Sequence, residues 1–233
     1  MTQRIIPIVS PNFIAETILD GPMDWTTVFG NNRSLALEIG CGTGHFVIEQ
    51  ARKQPDMNFL AIDIYNKGCL KTCAKIDEAG LQNVRVMRVE ARWLMEKGLR
   101  PESLAAVYIN CPDPWPKKRH RRRRLVNREF LEALVHYLLP GGDFFFSTDF
   151  DNYAAEVAEQ IRGLSGYRNR LPSDWVHELP GYPISKYMQR FLDKGQHIYF
   201  IHHQRDAEIP LAKLPSSALQ RGFRTDWLKA END

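Results

Sequence analysis

The sequence predicts one α/β domain built on a Rossmann-like, doubly wound, mostly parallel sheet with an antiparallel C-terminal hairpin. Residues 34–53 contain a strand, a glycine turn and a helix, the unit that opens nucleotide-binding α/β folds. Further short apolar runs alternate with helical patterns, which indicates parallel strands joined by helices. With 233 residues, 43% hydrophobic and 25% charged, the chain is long enough for one sizeable core.

Each predicted element follows from its local pattern. Short apolar runs bounded by turn residues predict strands, and apolar residues at helical spacing predict helices. We expect strands over 34–39, 58–62, 83–89, 103–109, 143–148 and 196–201, and helices over 45–53, 66–79, 93–97, 125–139, 152–162 and 184–192. The apolar stripe of helix 125–139 leaves Arg124 and Arg128 facing outward. The last strand is expected to pair antiparallel with residues near 167–171.

The main domain is expected over residues 34–203, with an N-terminal cap segment over 1–33 and a C-terminal tail over 204–233. The tail contains one weak amphipathic turn at 219–228. No stretch approaches the roughly 18 uninterrupted apolar residues that a membrane helix needs, and the start has no signal-peptide pattern. We therefore expect a cytoplasmic protein that does not enter a membrane, and both monomer and homodimer stay open.

The glycine turn after the first strand has the spacing Gly40-x-Gly42-x-Gly44, and Glu38 stands two residues before it. Dinucleotide-binding folds use a different spacing and place a pyrophosphate at the helix N-terminus, where Glu38 would repel it. A phosphate-free cofactor with sulfonium and ammonium groups would instead be attracted by this acid. The pattern favours S-adenosylmethionine over NAD.

Acids also follow the second and third strands. Asp63 lies 19 residues beyond Gly44, a position suited to two hydrogen bonds with the hydroxyls of an adenosine ribose. Glu90, after the third strand, could hold the adenine amino group or pair with a nearby arginine, and both roles stay open. With Glu38 and the glycine turn, Asp63 predicts a site for an adenosyl cofactor.

The segment after the fourth strand combines a fixed acid with dense positive charge. Asp113 lies between Pro112 and Pro114, and seven of the eight residues 117–124 are lysine or arginine. Prolines restrict the backbone, so Asp113 is expected in a stiff, non-helical loop. The first and fourth strands should be neighbours, which places Asp113 beside the glycine turn. The basic run is typical either of a nucleic acid contact or of a solvated face.

Four cysteines, Cys41, Cys69, Cys73 and Cys111, are the candidates for metal ligation, and Cys69 and Cys73 share a face of a predicted helix. They lack the paired Cys-x-x-Cys and His-x-x-x-His spacings of zinc sites. We expect reduced, mostly buried thiols and no bound metal.

Together these motifs resemble the bacterial tRNA (guanine-N7)-methyltransferases. The resemblance covers roughly residues 25–200, and the segment Pro112-Asp-Pro-Trp-Pro-Lys-Lys-Arg-His, followed by arginines, is its most specific part. Glu38-Ile-Gly upstream, and Pro140-Gly-Gly and Thr148-Asp149 downstream, agree with it. It implies a class I methyltransferase fold, S-adenosylmethionine as methyl donor, and tRNA as partner. The guanine at position 46 of the variable loop would be the methyl acceptor.

The resemblance also implies roles for individual residues. The implied cofactor site contains the glycine turn together with Glu38, Asp63, Glu90 and Asp113, and Asp113 is also the catalytic position. The expected substrate-binding residues include two arginines of the basic run, which would hold phosphates beside the target base. The full set is Lys117, Arg121, Arg124, Asp149, Ser185, Lys186 and Met188.

Two positions depart from the family pattern. Glu90 stands where the family usually has aspartate, a one-carbon change that an adenine contact can tolerate. The late substrate motif, usually Thr-Lys-Phe-Glu or a relative, is Ser185-Lys186-Tyr187-Met188 here. Met188 therefore replaces an acceptor that could contact the guanine edge.

Other function classes give different expectations. A noncatalytic or redirected RNA-binding paralogue would use the basic run without methyl transfer, and Met188 is the observation in its favour. An NAD-dependent oxidoreductase is disfavoured by Glu38 and by the glycine spacing. A small-molecule methyltransferase would leave the basic run unexplained.

Overall fold

Eight strands form one sheet within residues 5–210, the part of the chain that this computed structural model describes. They are β1 (Phe13–Ile14), β2 (Leu35–Ile39), β3 (Asn58–Asp63), β4 (Val84–Arg88), β5 (Leu104–Asn110), β6 (Leu138–Thr148), β7 (Tyr167–Asn169) and β8 (Tyr199–Arg205). Their order is β1-β4-β3-β2-β5-β6-β8-β7, and only the β6–β8 and β7–β8 pairs are antiparallel. The predicted doubly wound sheet with its C-terminal antiparallel hairpin is confirmed.

Helices cover both faces of the sheet. The described helices are α1 (Trp25–Phe29), α2 (His45–Lys53), α3 (Asn66–Ala79), α4 (Ala91–Gly98), α5 (Arg128–Leu134), α6 (Asp151–Arg162) and α7 (Lys186–Leu192). Alternate strand residues enter different cores, since successive side chains of a strand point to opposite faces. In β2, for example, Leu37 packs with residues of α4, α5 and α6, while Ala36 packs with residues of α2 and α3.

The predicted helix over 125–139 is wrong at its C-terminal end. Helix α5 ends at Leu134, and Leu138 already belongs to β6, where it pairs with Leu104. Pro140 has no backbone N–H to continue a helix, and the strand register shifts beside it, between Leu104 and Ala106. Apolar spacing alone could not separate the helix from the strand that follows it.

The other element predictions agree with the structure apart from their ends. The last strand covers 199–205 instead of 196–201, and it pairs with β7, which lies within the predicted partner region. Within residues 5–33, β1 extends the sheet by pairing with β4, and Trp25 and Phe29 are buried in the core. The predicted turn at 219–228 lies outside the described residues. None of the described helices has the length and apolar character needed to cross a membrane.

Candidate active site

Two cavities open beside the C-terminal ends of β2, β3 and β5, where ligands bind in doubly wound sheets. The first, of about 280 Å³, contains Gly40, Asp63, Glu90, Asn110, Asp113, Trp115 and Arg123 in its lining. The second, of about 210 Å³, is lined by Glu38, the glycine turn, His45, Asn110, Cys111 and the segment Ser185–Tyr187. Gly40, Asn110 and Cys111 line both cavities, so the two form adjoining parts of one site.

The glycine turn requires glycine for its backbone. Gly40, Gly42 and Gly44 have φ values of 82°, 55° and 77°, in the left-handed region that residues with a Cβ rarely adopt. The backbone N–H of Gly42 donates to Asp63 Oδ2 at 2.7 Å, which joins the turn to the end of β3. The turn and Asp63 are thus assembled as one unit.

Glu38 is a buried acid whose Oε2 atom has no hydrogen-bond partner among residues 5–210. Burial raises its pKa to about 8, and the negative charge of Asp63 acts in the same direction, although Asn110 acts to lower it. Ionisation of Glu38 is therefore costly until a positive group comes close. A cationic ligand in the second cavity would supply that group.

Asp63 already uses both carboxylate oxygens, since its Oδ1 accepts from the backbone N–H of Tyr65 at 2.8 Å. Its pKa is raised by burial and, as a smaller effect, by the negative charge of Asp113. Asp63 and Asp113 both line the first cavity. The structure therefore brings together the residues predicted from two separate strand ends.

The structure shows which of the two roles predicted for Glu90, pairing with an arginine or contact with an adenine, is present. Glu90 pairs with Arg92 at 3.3 Å, with both side chains almost fully buried. Its Oε2 also caps α4 by accepting from the backbone N–H groups of Arg92 and Trp93. The arginine pairing is confirmed. Because Glu90 lines the first cavity as well, contact with an adenine stays a prediction.

The loop around Asp113 is held in an uncommon backbone conformation. Cys111 and Trp115, on either side of it, have φ values of 45° and 40°, which are rare for residues other than glycine. Such strain persists where surrounding contacts fix the chain, often at functional sites. The prediction of a non-helical loop is confirmed, and the loop places Asp113 at the first cavity.

The basic segment contains two kinds of arginine. Residues Lys118–Arg123 form a 3₁₀ helix on the surface, and the guanidinium of Arg123 lies 4.9 Å from the centre of the Trp115 ring. Arg124 is only 1% exposed, so the prediction that it faces outward is wrong. Its guanidinium donates to Glu156 at 2.5 Å and to Asn152 at 3.3 Å, which leaves it unavailable to an RNA phosphate.

The late motif, Ser185–Met188, also contains both a buried residue and residues that line a cavity. Ser185 caps α7 by accepting from the N–H of Met188, and Met188 is fully buried against Ile198 and Phe200. The expectation that Met188 contacts substrate is corrected by this burial. Ser185, Lys186 and Tyr187 do line the second cavity.

Tyr187 is a candidate residue that the sequence predictions missed. Its side chain is 46% exposed, and its pKa is raised by partial burial and by the charges of Asp149 and Asp113. Tyr187 lines the second cavity together with Ser185 and Lys186. The signal in the sequence was the position of Tyr187 within the late motif. The motif alone does not tell which of the neighbours Tyr187 and Met188 faces the cavity, because that depends on how the helix is rotated about its axis.

The remaining predicted substrate residues lie around the cavities without lining them. Lys117 is exposed, and Arg121 is half-buried in the basic segment. Asp149 follows β6, and burial raises its pKa. Its Oδ1 has no hydrogen-bond partner in the part of the chain that the structure describes, and its negative charge also acts on the thiol of Cys111. Among the cysteines, all four are free, and only Cys111 is not fully buried.

Comparison with known structures identifies the fold class of this protein. The crystal structure of the 16S rRNA methyltransferase KamB superposes with a TM-score of 0.59 over 80% of this chain and 95% of that one. At 15% identity this similarity concerns the fold alone. The fold, with its sheet order and glycine turn, is that of the class I methyltransferases.

Closer relatives define the family. A family model described as putative methyltransferase matches residues 32–201. The tRNA (guanine-N(7)-)-methyltransferase of Syntrophotalea carbinolica is 56% identical over 97% of this chain and 98% of its own length. That of Geobacter metallireducens is 53% identical over 88% of this chain and 98% of its own. The chain belongs to the bacterial tRNA (guanine-N7)-methyltransferase family.

Proposed function

We propose that this protein methylates N7 of a guanine in tRNA, specifically the guanine at position 46 of the variable loop, with S-adenosylmethionine as methyl donor. The observation that supports this most is the position of Asp113. It stands at a cavity shared with Asp63 and Glu90, and an exposed cationic segment follows it directly. Family membership supports the same reaction on tRNA.

The residues of the two cavities suit S-adenosylmethionine, which would supply an electrophilic methyl group on a sulfonium. Glu38 would face its positively charged amino-acid end, because the buried, unpartnered Oε2 favours a cation. Asp63 would hold the ribose hydroxyls, and Glu90 would border the adenine. The glycine turn leaves room for close approach, since Gly40 and Gly42 carry no side chain.

Asp113 would act on the guanine without removing a proton. N7 of neutral guanine has a lone pair and no hydrogen, so transfer needs alignment of nucleophile and methyl group, not a general base. The purine gains positive charge as the new bond forms. A carboxylate that accepts from the guanine N–H groups would orient the base and stabilise this charge.

The surface around the cavities would hold the RNA. Lys117, Arg121 and the exposed arginines beside them would bind phosphates next to a base turned out of its stack. Ser185, Lys186 and Tyr187 would border the base at the second cavity. Asp149, whose negative charge raises the pKa of Tyr187, would contact the substrate beside them. Arg124 and Met188 are not included, because their side chains are buried.

The test uses methyl-labelled S-adenosylmethionine and unmodified tRNA, beside the same tRNA with adenine at position 46. Label is expected only in the guanine tRNA, and chain cleavage specific for 7-methylguanine should map it to position 46. Label at another guanine would refute the position, and binding of both ligands without transfer would indicate an RNA-binding paralogue. The observation behind that alternative was Met188, and its burial in an apolar cluster no longer favours it.

A further inference from the structure

Helix α3 approaches the glycine turn closely at Gly68. Glycine is a poor helix former, yet Gly68 lies in the first turn of α3. A Cβ atom built at this position would lie 2.5 Å from the carbonyl oxygen of Gly42, closer than any side chain can come. The backbone of the cofactor turn therefore rests directly on the helix, which explains the glycine.

One turn further along α3, Thr72 contacts the same loop with both branches of its side chain. Its hydroxyl donates to the carbonyl oxygen of Gly42 at 3.2 Å, and the residue is fully buried. A Cβ built at Gly44 would lie 2.6 Å from the methyl group of Thr72 and 2.9 Å from its hydroxyl oxygen. Thr72 thus occupies the space between two glycines of the turn.

Lys75 completes the contact on the same face of the helix. Its Nζ atom donates to the carbonyl oxygen of Thr43 at 2.7 Å and lies 2.9 Å from His45 Nε2. From the opposite side, Asp63 accepts from the N–H of Gly42. Residues of α3 therefore hold two carbonyl groups of the five-residue glycine turn, those of Gly42 and Thr43, while the end of β3 holds N–H groups of the same turn.

We infer that Thr72 and Lys75 are positioning residues that hold the glycine turn in its cofactor-binding conformation, with Gly68 allowing the necessary approach. Glycine-rich segments lose much conformational freedom when ordered, and a turn fixed in advance avoids that cost at the moment of binding. This inference rests on the proposed cofactor. Neither Thr72 nor Lys75 lines either of the two cavities. The inference therefore assigns part of the affinity for S-adenosylmethionine to residues of α3 that do not contact the ligand site.

The decisive comparison is Thr72→Val against Thr72→Ser. Valine keeps the shape and the methyl group but loses the donor, whereas serine keeps the donor and loses the methyl group. Calorimetry with S-adenosylmethionine alone should show about 10-fold weaker binding for Thr72→Val, as for loss of one buried hydrogen bond. Thr72→Ser should stay within about 3-fold of the wild type.

Two further pairs have matched controls. Gly68→Ala should weaken binding most, while Gly21→Ala, where a Cβ meets nothing within 4 Å, should not change it. Lys75→Met should weaken binding, while Lys67→Met, which removes an exposed lysine of the same helix, should not. Thermal unfolding of each variant separates loss of affinity from loss of the fold.

Hydrogen exchange of residues 40–44 in the ligand-free protein gives a readout that needs no cofactor. Faster exchange in Thr72→Val than in Thr72→Ser supports the inference. The inference is overturned if the two variants have the same exchange rates and the same affinity. This holds whether both variants match the wild type or both lose affinity in proportion to a loss of stability. If the wild type fails to bind S-adenosylmethionine, the proposed cofactor is wrong, and the exchange rates still decide whether α3 holds the turn.

Discussion

Arg124 Nε donates a 2.8 Å hydrogen bond to the carbonyl oxygen of Pro114, the residue that follows Asp113. The same guanidinium bonds Glu156 of α6 and lies 4.5 Å from the centre of the Tyr153 ring. The last arginine of the basic run therefore fastens the Asp113 loop to the helix behind it. Its role is to hold the loop, whereas none of the residues Lys118–Arg123 is buried.

We predict that Arg124→Lys lowers stability by about 1–3 kcal/mol, because a lysine ammonium cannot reproduce the forked contacts and Glu156 loses its partner. The methylation rate should fall by about 10-fold or more, since the Asp113 loop loses its anchor. The measurements are urea unfolding and single-turnover methyl transfer.

The matched control for Arg124 is Arg122→Lys, at an exposed position of the same run. It should leave both stability and rate close to those of the wild type. Replacing Lys118, Arg119 and Arg122 together by alanine should instead flatten the salt dependence of tRNA binding, because fewer counterions are released. If Arg124→Lys and Arg122→Lys behave alike, Arg124 does not anchor the loop.

A second prediction concerns Asp113. Asp113→Asn should lower the rate of methyl transfer by about 100-fold or more, because a neutral amide does not stabilise the positive charge that develops on guanine. The affinity for S-adenosylmethionine, measured by calorimetry, should change by less than about 3-fold, since the other acids and the glycine turn remain. A wild-type rate that rises with pH through a carboxylate titration, and does not do so in Asp113→Asn, would indicate base catalysis instead.

The third prediction follows from the buried carboxyl of Glu38, whose pKa is raised from 4.5 to about 8, mainly by burial. Between these pH values the ligand-free folded protein binds a proton that the unfolded chain has lost, so Glu38 makes stability fall as pH rises through this window. Glu38→Gln removes that loss. The variant should gain about 2–4 kcal/mol relative to the wild type at pH 8 and little at pH 5.

Urea unfolding without ligand at the two pH values measures this difference. Glu49→Gln is the control, because Glu49 is half-exposed and pairs with Lys53 on the surface, where ion pairs contribute little. A Glu38→Gln variant whose stability relative to the wild type is the same at pH 5 and pH 8 would show that the carboxyl is not costly to ionise.

The sequence predicted the glycine turn and its acids because those features are local. Left-handed φ values require glycine, and acids at parallel strand ends meet at one edge of the sheet. The burial of Arg124 could not be predicted, since it depends on Glu156, which lies 32 residues away along the chain. For a similar reason, Met188 was predicted to contact substrate and Tyr187 was missed. Which of two neighbours on α7 faces the cavity depends on how that helix packs against β8.

The last prediction concerns Tyr182, which links the C-terminal segment to the Asp113 loop. Its hydroxyl donates to Asn110 Oδ1 at 2.7 Å, and Ser147 donates to the same oxygen at 3.0 Å. Asn110 lines both cavities and stands three residues before Asp113, while Tyr182 stands three residues before Ser185. This hydrogen bond therefore fixes the distance between the two sides of the site.

Tyr182→Phe keeps the ring in its aromatic cluster and removes only the hydroxyl. We expect kcat/KM for tRNA to fall by about 5- to 10-fold, as for loss of one hydrogen bond, with affinity for S-adenosylmethionine within about 2-fold. Tyr108→Phe is the matched control, since Tyr108 packs in the same cluster but its hydroxyl accepts from Gln50. Equal losses in both variants would mean that the cluster acts through packing alone, because then the bond to Asn110 would contribute nothing of its own.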